Sequence, residues 1–291
     1  MKGKSASFVK HTEIDVTGTP LAGNFTAGQA FGVIAPGEDE NGKPHKVRLY
    51  SFACPSGGED GTGNIISTTP KRVIDEHDPR FATRACRDHA LFLGVCSNYL
   101  CGLAAGDEVQ LTGPSGKRFL LPQGPSEHDY LFIATGTGIA PIRGMLMELF
   151  ALPGGTCESR IDLVMGVPYT SDLLYDEWFR ELAAKHDNFH YHTAISREPM
   201  PGRDRGMYVD ELIDTSMDSF APLLANERTL IYMCGLTGMQ TGIYRLLARH
   251  RLASRYLTVK EGSDVMALSG WDDAQIKRSV RSTERCLVEV Y

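Results

Sequence analysis

The sequence lacks any apolar run long enough to cross a membrane, which would need about 20 consecutive residues. Its first residues, MKGKSASFVKHTEIDV, lack the apolar segment of a signal peptide. Internal repeats, low-complexity tracts and long blocks of one charge are also missing. These absences argue against membrane-spanning, fibrous and disordered proteins, and we expect an ordinary globular protein of the cytoplasm.

Basic residues are fewer than acidic ones: 30 Lys and Arg against 36 Asp and Glu give a formal net charge of -6. This balance predicts no general attraction to nucleic acid. Seven cysteines, an odd number, predict free thiols in a reducing compartment. Cys96 and Cys101 have the spacing of a plant-type iron-sulfur site, but the third cysteine that this pattern needs is replaced by Ala104. No metal site is predicted.

The length of 291 residues predicts two domains, at residues 1–124 and 125–291. In the first domain the apolar segments are short, β-branched and bounded by turns, which favours a small antiparallel barrel. The predicted strands are 12–18, 30–35, 46–53, 64–69 and 107–113. One helix is predicted over 97–106, with Ser97 or Asn98 as its N-cap and Gly106 as its stop.

The second domain alternates apolar strands with amphipathic helices, which predicts a doubly wound parallel sheet. The predicted strands are YLFIA, IDLVMG, FHYHTAIS and TLIYMCG, and the helices include IRGMLMELF, LLYDEWFRELAAKH, a region from Tyr208, and MQTGIYRLLARHRL. Sheets of this kind bind ligands outside the carboxyl ends of their strands.

Two motifs fall at such strand ends. In ATGTGIAP, Gly136 and Gly138 would allow a pyrophosphate to approach closely, and Thr137 would offer a hydroxyl. In MCGLTGM, Cys234 would lie at the same edge, within reach of a nicotinamide ring. A glycine turn that only packs a helix, and a buried cysteine, are the structural alternatives.

A third pair of stretches, AISREP and GRDRGMY, offers a hydroxyl, a guanidinium and an aromatic face in Ser196, Arg197 and Tyr208. These groups suit an adenosine 2'-phosphate and its base, although an exposed Ser-Arg pair is more often a solvated loop.

The first domain has two candidate stretches. In RLYS, Arg48 could bind a phosphate, Tyr50 could cover an isoalloxazine ring, and Ser51 could place its hydroxyl at the flavin N5. A half-buried strand is the alternative. In GVCSNYLC, a helix start near Ser97 could bind a second pyrophosphate.

Together these stretches resemble the plant-type, plastidic class of ferredoxin-NADP reductases. The resemblance rests on RLYS, GVCSNYLC, GDEVQLTGPSGK, ATGTGIAP, ISRE, GMY, YMCGLTGM and a terminal VEVY, which follow in this order from about residue 46 to the end. It implies an N-terminal antiparallel FAD-binding barrel followed by a doubly wound NADP-binding domain. It also implies that electrons pass between NADPH and a one-electron carrier, ferredoxin or flavodoxin, by hydride transfer between nicotinamide C4 and flavin N5.

The family's roles carry over to the matching positions of this chain. The implied catalytic residues are Ser51, Cys234, Glu289 and Tyr291, with the Tyr291 ring lying over the isoalloxazine face. The implied FAD-binding residues are Arg48, Leu49, Tyr50, Ser51, Gly94, Val95, Cys96, Ser97 and Tyr291. The implied NADP-binding residues are Lys71, Thr137, Gly138, Ser196, Arg197, Arg205, Tyr208, Gly235 and Leu236.

Three positions depart from the family pattern. Gly206 stands where a basic residue usually precedes the tyrosine of the GMY stretch, which weakens the expected preference for NADPH over NADH. Asp75 replaces the tyrosine that commonly stacks on the FAD adenine. Cys286 replaces a tryptophan, which we expect to affect packing more than chemistry.

An acidic electron carrier would dock on a basic rim despite the net negative charge. The candidates for this rim are Lys71, Arg72, Arg84, Arg87, Lys117 and Arg118. Two other functions stay open. The chain could be the reductase component of an oxygenase, since reductases of aromatic acyl-CoA oxygenases carry a similar module, or it could be a non-enzymatic flavin or nucleotide sensor.

Overall fold

The computed structural model describes residues 8–76, 91–152, 157–200, 202–260 and 264–291. The chain falls into two compact units, one ending at Lys117 and the other beginning at Arg118. The predicted boundary between residues 124 and 125 lies a little further along the chain.

The first unit is built from short antiparallel strands. They are β1 (Thr12–Asp15), β2 (Ala30–Ile34), β3 (Arg48–Ser51), β4 (Ile65–Thr68), β5 (Ile74–Glu76), β6 (Leu91–Leu93) and β7 (Gln110–Ser115). β1 pairs with β4, β2 lies between β3 and β7, and β5 pairs with β6. The Ala53 N–H donates to the Ser67 carbonyl at 2.8 Å and thereby joins the end of β3 to β4. The predicted antiparallel architecture is confirmed, and the β5–β6 pair is an addition to it.

The core of the first unit contains packed aromatic rings. The Phe52 ring lies 4.5 Å from that of Phe25 and 5.0 Å from that of Phe31, measured between centroids. Ile66 and Leu100 complete the buried cluster. Because Leu100 belongs to the one α-helix described in this unit, α1 (Val95–Gly102), the core fixes that helix against the strands.

Helix α1 begins before the predicted start, with Gly94 as its N-cap residue. The Ser97 hydroxyl donates to the Gly94 carbonyl at 3.1 Å and accepts a hydrogen bond from the Val73 N–H at 3.2 Å. The prediction that Ser97 or Asn98 caps the helix was therefore wrong, because both lie within the first turn. The predicted stop at Gly106 was also wrong, since Leu103 already has an extended backbone.

The second unit contains a five-stranded parallel sheet in the order β10-β9-β8-β11-β14. Its strands are β8 (Asp129–Thr135), β9 (Ile161–Val167), β10 (Phe189–Ile195), β11 (Thr229–Gly235) and β14 (Cys286–Val290), and β12 (Leu257–Val259) pairs separately with β13 (Val280–Ser282). The helices are α2 (Ile139–Leu149), α3 (Asp176–Lys185), α4 (Val209–Thr215), α5 (Met217–Ala225), α6 (Thr237–Arg249), α7 (Ala253–Tyr256) and α8 (Asp273–Ser279). The predicted doubly wound sheet is confirmed.

The central strands form because their sequences are apolar on both faces. β9 and β11 are buried along their whole length, which is typical of a parallel sheet covered by helices on each side. Buried tyrosines find acceptors for their hydroxyls: Tyr130 donates to the Pro125 carbonyl at 2.6 Å and Tyr232 to the Leu120 carbonyl at 2.7 Å. The sheet is thus a rigid support for whatever its strand ends carry.

Within the described ranges, no helix is long and apolar enough to span a lipid bilayer.

A buried ion pair crosses β9 and β10. Asp162 is buried and accepts hydrogen bonds from Arg160 Nε at 2.8 Å and from His192 Nε2 at 3.0 Å. Burial on its own would raise the pKa of Asp162, but the bonds from His192 and Arg160 outweigh it and the pKa lies below its ordinary value of 3.8. The charged carboxylate therefore stabilises the folded state.

Replacing this carboxylate tests that conclusion. We expect Asp162→Asn to lower the free energy of unfolding at pH 7 by roughly 3 kcal/mol, because it breaks a buried ion pair from one side. A lowered folded-state pKa stabilises the protein above the unfolded value and the benefit is lost as pH falls, so the gap to wild type should narrow below about pH 3.8. Urea unfolding between pH 7 and pH 3 measures the loss of unfolding free energy at pH 7 and its change with pH. The exposed Asp187→Asn is the control, and a gap that stays constant with pH would contradict the assignment.

Candidate functional site

The carboxyl ends of β8 and β11 lie side by side, at the point where the strand order of the sheet reverses. A tight turn, Gly136–Gly138, follows β8, and Leu236 follows β11 at the start of α6. In open parallel sheets the crevice outside such a reversal is where ligands bind. The two glycine motifs of the sequence thus meet at one edge.

The two turns touch backbone to backbone. A Cβ on Gly138 would lie against the Cys234 carbonyl and 2.8 Å from the Gly235 nitrogen, and one on Gly235 would lie 2.8 Å from the Thr135 carbonyl oxygen. Gly235 also has a φ of +136°, which favours glycine. The Leu236 N–H donates to Thr135 Oγ1 at 2.8 Å and closes the contact. These glycines are required by packing, whatever ligand the edge receives.

Tyr291 lies at this same edge. Its N–H donates to the Gly235 carbonyl at 2.9 Å, and its carbonyl oxygen accepts from the Thr237 N–H at 3.3 Å. Tyr291 as a whole residue is 65% exposed. Its side-chain hydroxyl lies 2.8 Å from Thr137 Oγ1. The backbone of Gly138 lies close to the same hydroxyl. The tyrosine therefore covers the turn that the sequence predicts as a pyrophosphate site.

Cys234 and Glu289 are register partners on β11 and β14. Burial, with a contribution from the nearby Glu289 charge, raises the pKa of the Cys234 thiol to about 12, so that the thiol is neutral at pH 7. Burial also raises the pKa of Glu289 to about 6. A carboxyl group with such a pKa can take up and release a proton near neutrality.

The predicted adenosine-binding residues cluster after β10. The Ser196 N–H donates to the Val167 carbonyl at 2.9 Å, and the Arg197 N–H donates to the Pro168 carbonyl at 2.9 Å, which hold this segment along the end of β9. The Arg197 side chain is exposed, and Tyr208 is 63% exposed. The Met207 N–H donates to the Ile195 carbonyl at 2.8 Å, which brings the GMY stretch beside the end of β10. The two stretches AISREP and GRDRGMY therefore adjoin.

Gly206 departs from the family pattern for a steric reason. A Cβ at this position would lie 2.5 Å from the Ser196 carbonyl carbon and 2.6 Å from its oxygen. The backbones of the two stretches approach too closely for any side chain there. A basic residue at position 206 would push Ser196 away from its place.

Sequence reasoning missed Glu211 at this cluster. Its carboxylate pairs with Arg205 and Arg203, and it also accepts a hydrogen bond from the Tyr208 N–H at 3.3 Å. A signal was present, because a glutamate three residues after the residue that begins a helix is half of a capping box. The arginine pairing could not be read from spacing alone.

In the first unit, the RLYS stretch forms β3 as predicted, and it runs past the start of α1. Tyr50 is half-buried beside Cys96, and burial raises its pKa. Burial likewise raises the pKa of Cys96. The Ser51 carbonyl accepts from the Thr68 hydroxyl at 2.9 Å.

The start of α1 combines polar and apolar groups. A Cβ on Gly94 would lie 2.7 Å from Ser97 Oγ and 2.8 Å from Val73 Cβ, so this corner is tightly packed. The N–H groups of residues 95–97 belong to the first turn, where the helix itself offers no acceptor. Val95, in the same turn, is 49% exposed, and Leu49 on β3 is 61% exposed. The start of the helix thus offers amide donors next to the exposed apolar side chain of Val95.

The predicted basic rim is described only in part. Lys71, Lys117 and Arg118 are exposed, while the Arg72 guanidinium stacks 4.7 Å from the centroid of the Phe8 ring. Arg84 and Arg87 lie outside the described residues, as does the side chain of Asp75. Over the described ranges, no three His, Cys, Asp or Glu side chains are grouped so that they could hold a metal ion.

Residues 132–245, which run from β8 into α6, match the family described as "Oxidoreductase NAD-binding domain". Fold and site therefore define a nucleotide-binding oxidoreductase. A chloroplastic ferredoxin-NADP reductase, leaf isozyme 1, of Oryza sativa subsp. indica is 36% identical over 270 residues, which cover 92% of this chain and 68% of the relative. A ferredoxin-NADP reductase of the cyanobacterium Picosynechococcus sp. is 35% identical over 287 residues, with 97% and 65% covered.

Among solved structures, the ferredoxin-NADP+ reductase of Plasmodium falciparum has a TM-score of 0.66 and 23% identity, covering 99% of this chain and 90% of that one. This likeness supports the fold. The sequence relatives establish more: the chain belongs to the ferredoxin-NADP reductase family.

Two glycines of this edge provide a matched test of the backbone contact. We expect Gly138→Ala to lower the free energy of unfolding by roughly 1–3 kcal/mol, because its Cβ meets backbone that cannot move aside. Gly238→Ala, in α6, meets open space and should stabilise by about 0.5–1 kcal/mol through helix propensity. Thermal or urea unfolding of both variants decides the matter. Equal effects of the two substitutions would contradict the described packing.

Proposed function

We propose that this chain is an FAD-dependent oxidoreductase that transfers electrons between NADP(H) and a one-electron carrier, with ferredoxin as the first candidate. The observation that carries the proposal is the contact between Thr137 and Tyr291 at the reversal point of a parallel sheet, in a chain of the ferredoxin-NADP reductase family. Glu289 lies in register with Cys234 on the neighbouring strand pair of the same sheet. When bound, FAD would accept a hydride from the nicotinamide and release its electrons singly.

The first unit would hold the FAD. Its amide donors at the start of α1, from Val95 to Ser97, suit a pyrophosphate, and the exposed Leu49 and Val95 suit an apolar ring. The half-buried Tyr50 would contact the flavin, Arg48 would add a positive charge, and Ser51 would hydrogen-bond near N5. Gly94, Cys96 and Ser97 would surround the phosphates. This chemistry fits the cofactor that the family resemblance implies.

The second unit would bind NADP(H) along the carboxyl edge of its sheet. Thr137, Gly138, Gly235 and Leu236 would receive the pyrophosphate and nicotinamide end, where two turns already form one rigid surface. The adenosine end would lie on the cluster after β10, with Ser196, Arg197, Arg205 and Tyr208 as its contacts.

Glu289 would serve as the proton-exchanging group of the site, because burial raises its pKa to about 6. The neighbouring Cys234 thiol stays protonated and neutral at the same pH, so it would act by packing and as a weak hydrogen-bond donor, without attacking the nucleotide. The protein would thus catalyse mainly by positioning reactants and excluding water.

An acidic carrier would dock through exposed positive charges such as Lys71, Lys117 and Arg118. Ferredoxin and flavodoxin are both acceptors of this kind, and the ferredoxin could belong to an oxygenase system. The six described cysteines are free and buried, which favours a reducing compartment such as the cytoplasm.

Anaerobic stopped-flow reduction tests the proposed function. The FAD-loaded chain is mixed with NADPH or NADH, and candidate ferredoxins and flavodoxins are then added. We expect NADPH to bleach the flavin faster than NADH, and carrier reduction to slow as salt screens the docking charges. If NADPH cannot bleach the flavin, the enzyme proposal is wrong and the sensor hypothesis is favoured. If carrier reduction is insensitive to salt, the proposal that the carrier docks on the basic rim is wrong.

The Tyr291 contact gives a second test. A nucleotide that reaches the turn after β8 must break the bond between Tyr291 and Thr137, so Tyr291→Phe should strengthen NADP+ binding about fivefold, the equivalent of one hydrogen bond. Tyr291→Ser also removes the ring, and it should bind more tightly still and relax the selectivity for NADPH over NADH. Titration by difference absorbance measures these affinities. Loss of stability with unchanged coenzyme affinity would show that the ring serves only packing.

A further inference from the structure

The cluster after β10 contains a carboxylate whose role no family motif assigns. We propose that Glu211 is a positioning residue for coenzyme selectivity: it holds Arg205 and Arg203 as rigid guanidinium groups that receive the 2'-phosphate of NADP(H). The inference rests on the proposed function and deepens it, because it names the groups that replace the missing basic residue at position 206.

Arg205 and Glu211 form an ion pair with a defined geometry. Arg205 donates through Nη1 to Glu211 Oε2 at 2.9 Å and through Nη2 to Glu211 Oε1, which is a bidentate contact. Arg203 Nη2 donates to the same Oε1 at 3.3 Å. The plane of the Arg205 guanidinium is therefore oriented by this carboxylate, which also holds the Arg203 guanidinium through one hydrogen bond.

Glu211 is itself held in place. It belongs to the first turn of α4, and its Oε2 accepts from the Tyr208 N–H at 3.3 Å. The hydrogen bond from Arg205 is the largest cause that lowers the pKa of Glu211, which reaches about 2. The carboxylate is thus charged throughout the working range of pH.

This arrangement places the arginines beside the predicted phosphate contacts. Gly206, the next residue after Arg205, lies against the backbone of Ser196. Arg205 is 62% exposed in its side chain, and its contact with Glu211 uses only two of its five N–H donors. Nη1 also donates to the Gly206 carbonyl at 3.4 Å, which leaves two donors, on Nε and Nη2, for a phosphate whose own charge is about -2.

The same arrangement disfavours NAD(H). In many NAD-binding sites a carboxylate accepts a hydrogen bond from the ribose 2'-hydroxyl. Here both oxygens of Glu211 already accept from Arg205, and from Arg203 or Tyr208. A ribose hydroxyl would have to displace one of these donors, so the carboxylate supports the phosphate-bearing coenzyme.

A simple charge effect predicts the opposite of positioning, which makes the inference testable. If Glu211 only neutralised the arginines, Glu211→Gln would increase the positive charge and tighten binding of a 2'-phosphate. If it positions them, the same substitution releases both guanidinium groups and weakens binding.

The experiment is isothermal titration of the full, FAD-loaded chain with 2',5'-ADP, and with 5'-AMP as the ligand that lacks the 2'-phosphate. We expect Glu211→Gln to weaken 2',5'-ADP about tenfold and 5'-AMP less than twofold, because the lost contacts are charge-assisted hydrogen bonds to the phosphate. Arg205→Lys keeps the charge but loses the fork, and it should weaken 2',5'-ADP by a similar factor. Glu181→Gln, at an exposed position on α3, is the control for removing one negative charge.

Arg205→Lys also guards against a folding defect, since Glu211→Gln removes part of a helix cap whereas the Arg205 side chain is largely exposed. Unchanged or tighter binding of 2',5'-ADP in Glu211→Gln would overturn the positioning role, and unchanged binding in Arg205→Lys would overturn the contact between Arg205 and the phosphate. Both results would leave the proposed function intact. A wild-type chain that binds no 2',5'-ADP and is not reduced by NADPH would overturn both.

Discussion

The backbone contact between the ends of β8 and β11 is the constraint on which the rest of the candidate site depends. Gly138 lies against the Cys234 carbonyl, and Gly235 lies against the backbone of Thr135, at distances that leave no room for a Cβ. Two turns that would otherwise move independently become one surface. Since the sheet beneath them is buried on both faces, this surface inherits the rigidity of the core.

The edge strand β14 adds two further groups to this edge of the sheet. β14 pairs in parallel with β11, so Cys234 faces Glu289 in register and the chain reaches Gly235 as the strand ends. Tyr291 then bonds the Gly235 carbonyl, and its hydroxyl reaches Thr137 on the turn after β8. Strand register thereby places the Glu289 carboxyl group, with its raised pKa, and the exposed Tyr291 ring at the same edge. Neither residue needs a loop to bring it there.

Much of this could be predicted from the sequence, because the signals were local or repeated. β11 coincides with the predicted TLIYMCG strand, and the order of strands and helices was enough to indicate a doubly wound sheet. Other features depend on distant contacts. Ser97 has the residue type of a helix N-cap, yet its hydroxyl donates to the Gly94 carbonyl and accepts from the Val73 N–H. The β5–β6 pair and the short elements from α7 to β13 were not predicted, because their sequences have weak hydrophobic periodicity. The residue contacts proposed for FAD and NADP(H) stay predictions.

The departure at Gly206 shows why a motif and its chemistry can separate. A motif comparison treats the glycine as a lost cation, but the close approach of residue 206 to Ser196 leaves no space for a side chain there. The positive charge lies one residue earlier, on Arg205. The Arg205 side chain is held by its hydrogen bond to Glu211. Arginine suits this position, because its planar fork can bind a carboxylate along one edge and keep donors for a phosphate along another, which a lysine ammonium cannot do. In the proposed positioning role, selectivity for a 2'-phosphate would depend on the geometry of the arginine–glutamate pair, which a count of basic residues in the motif does not measure.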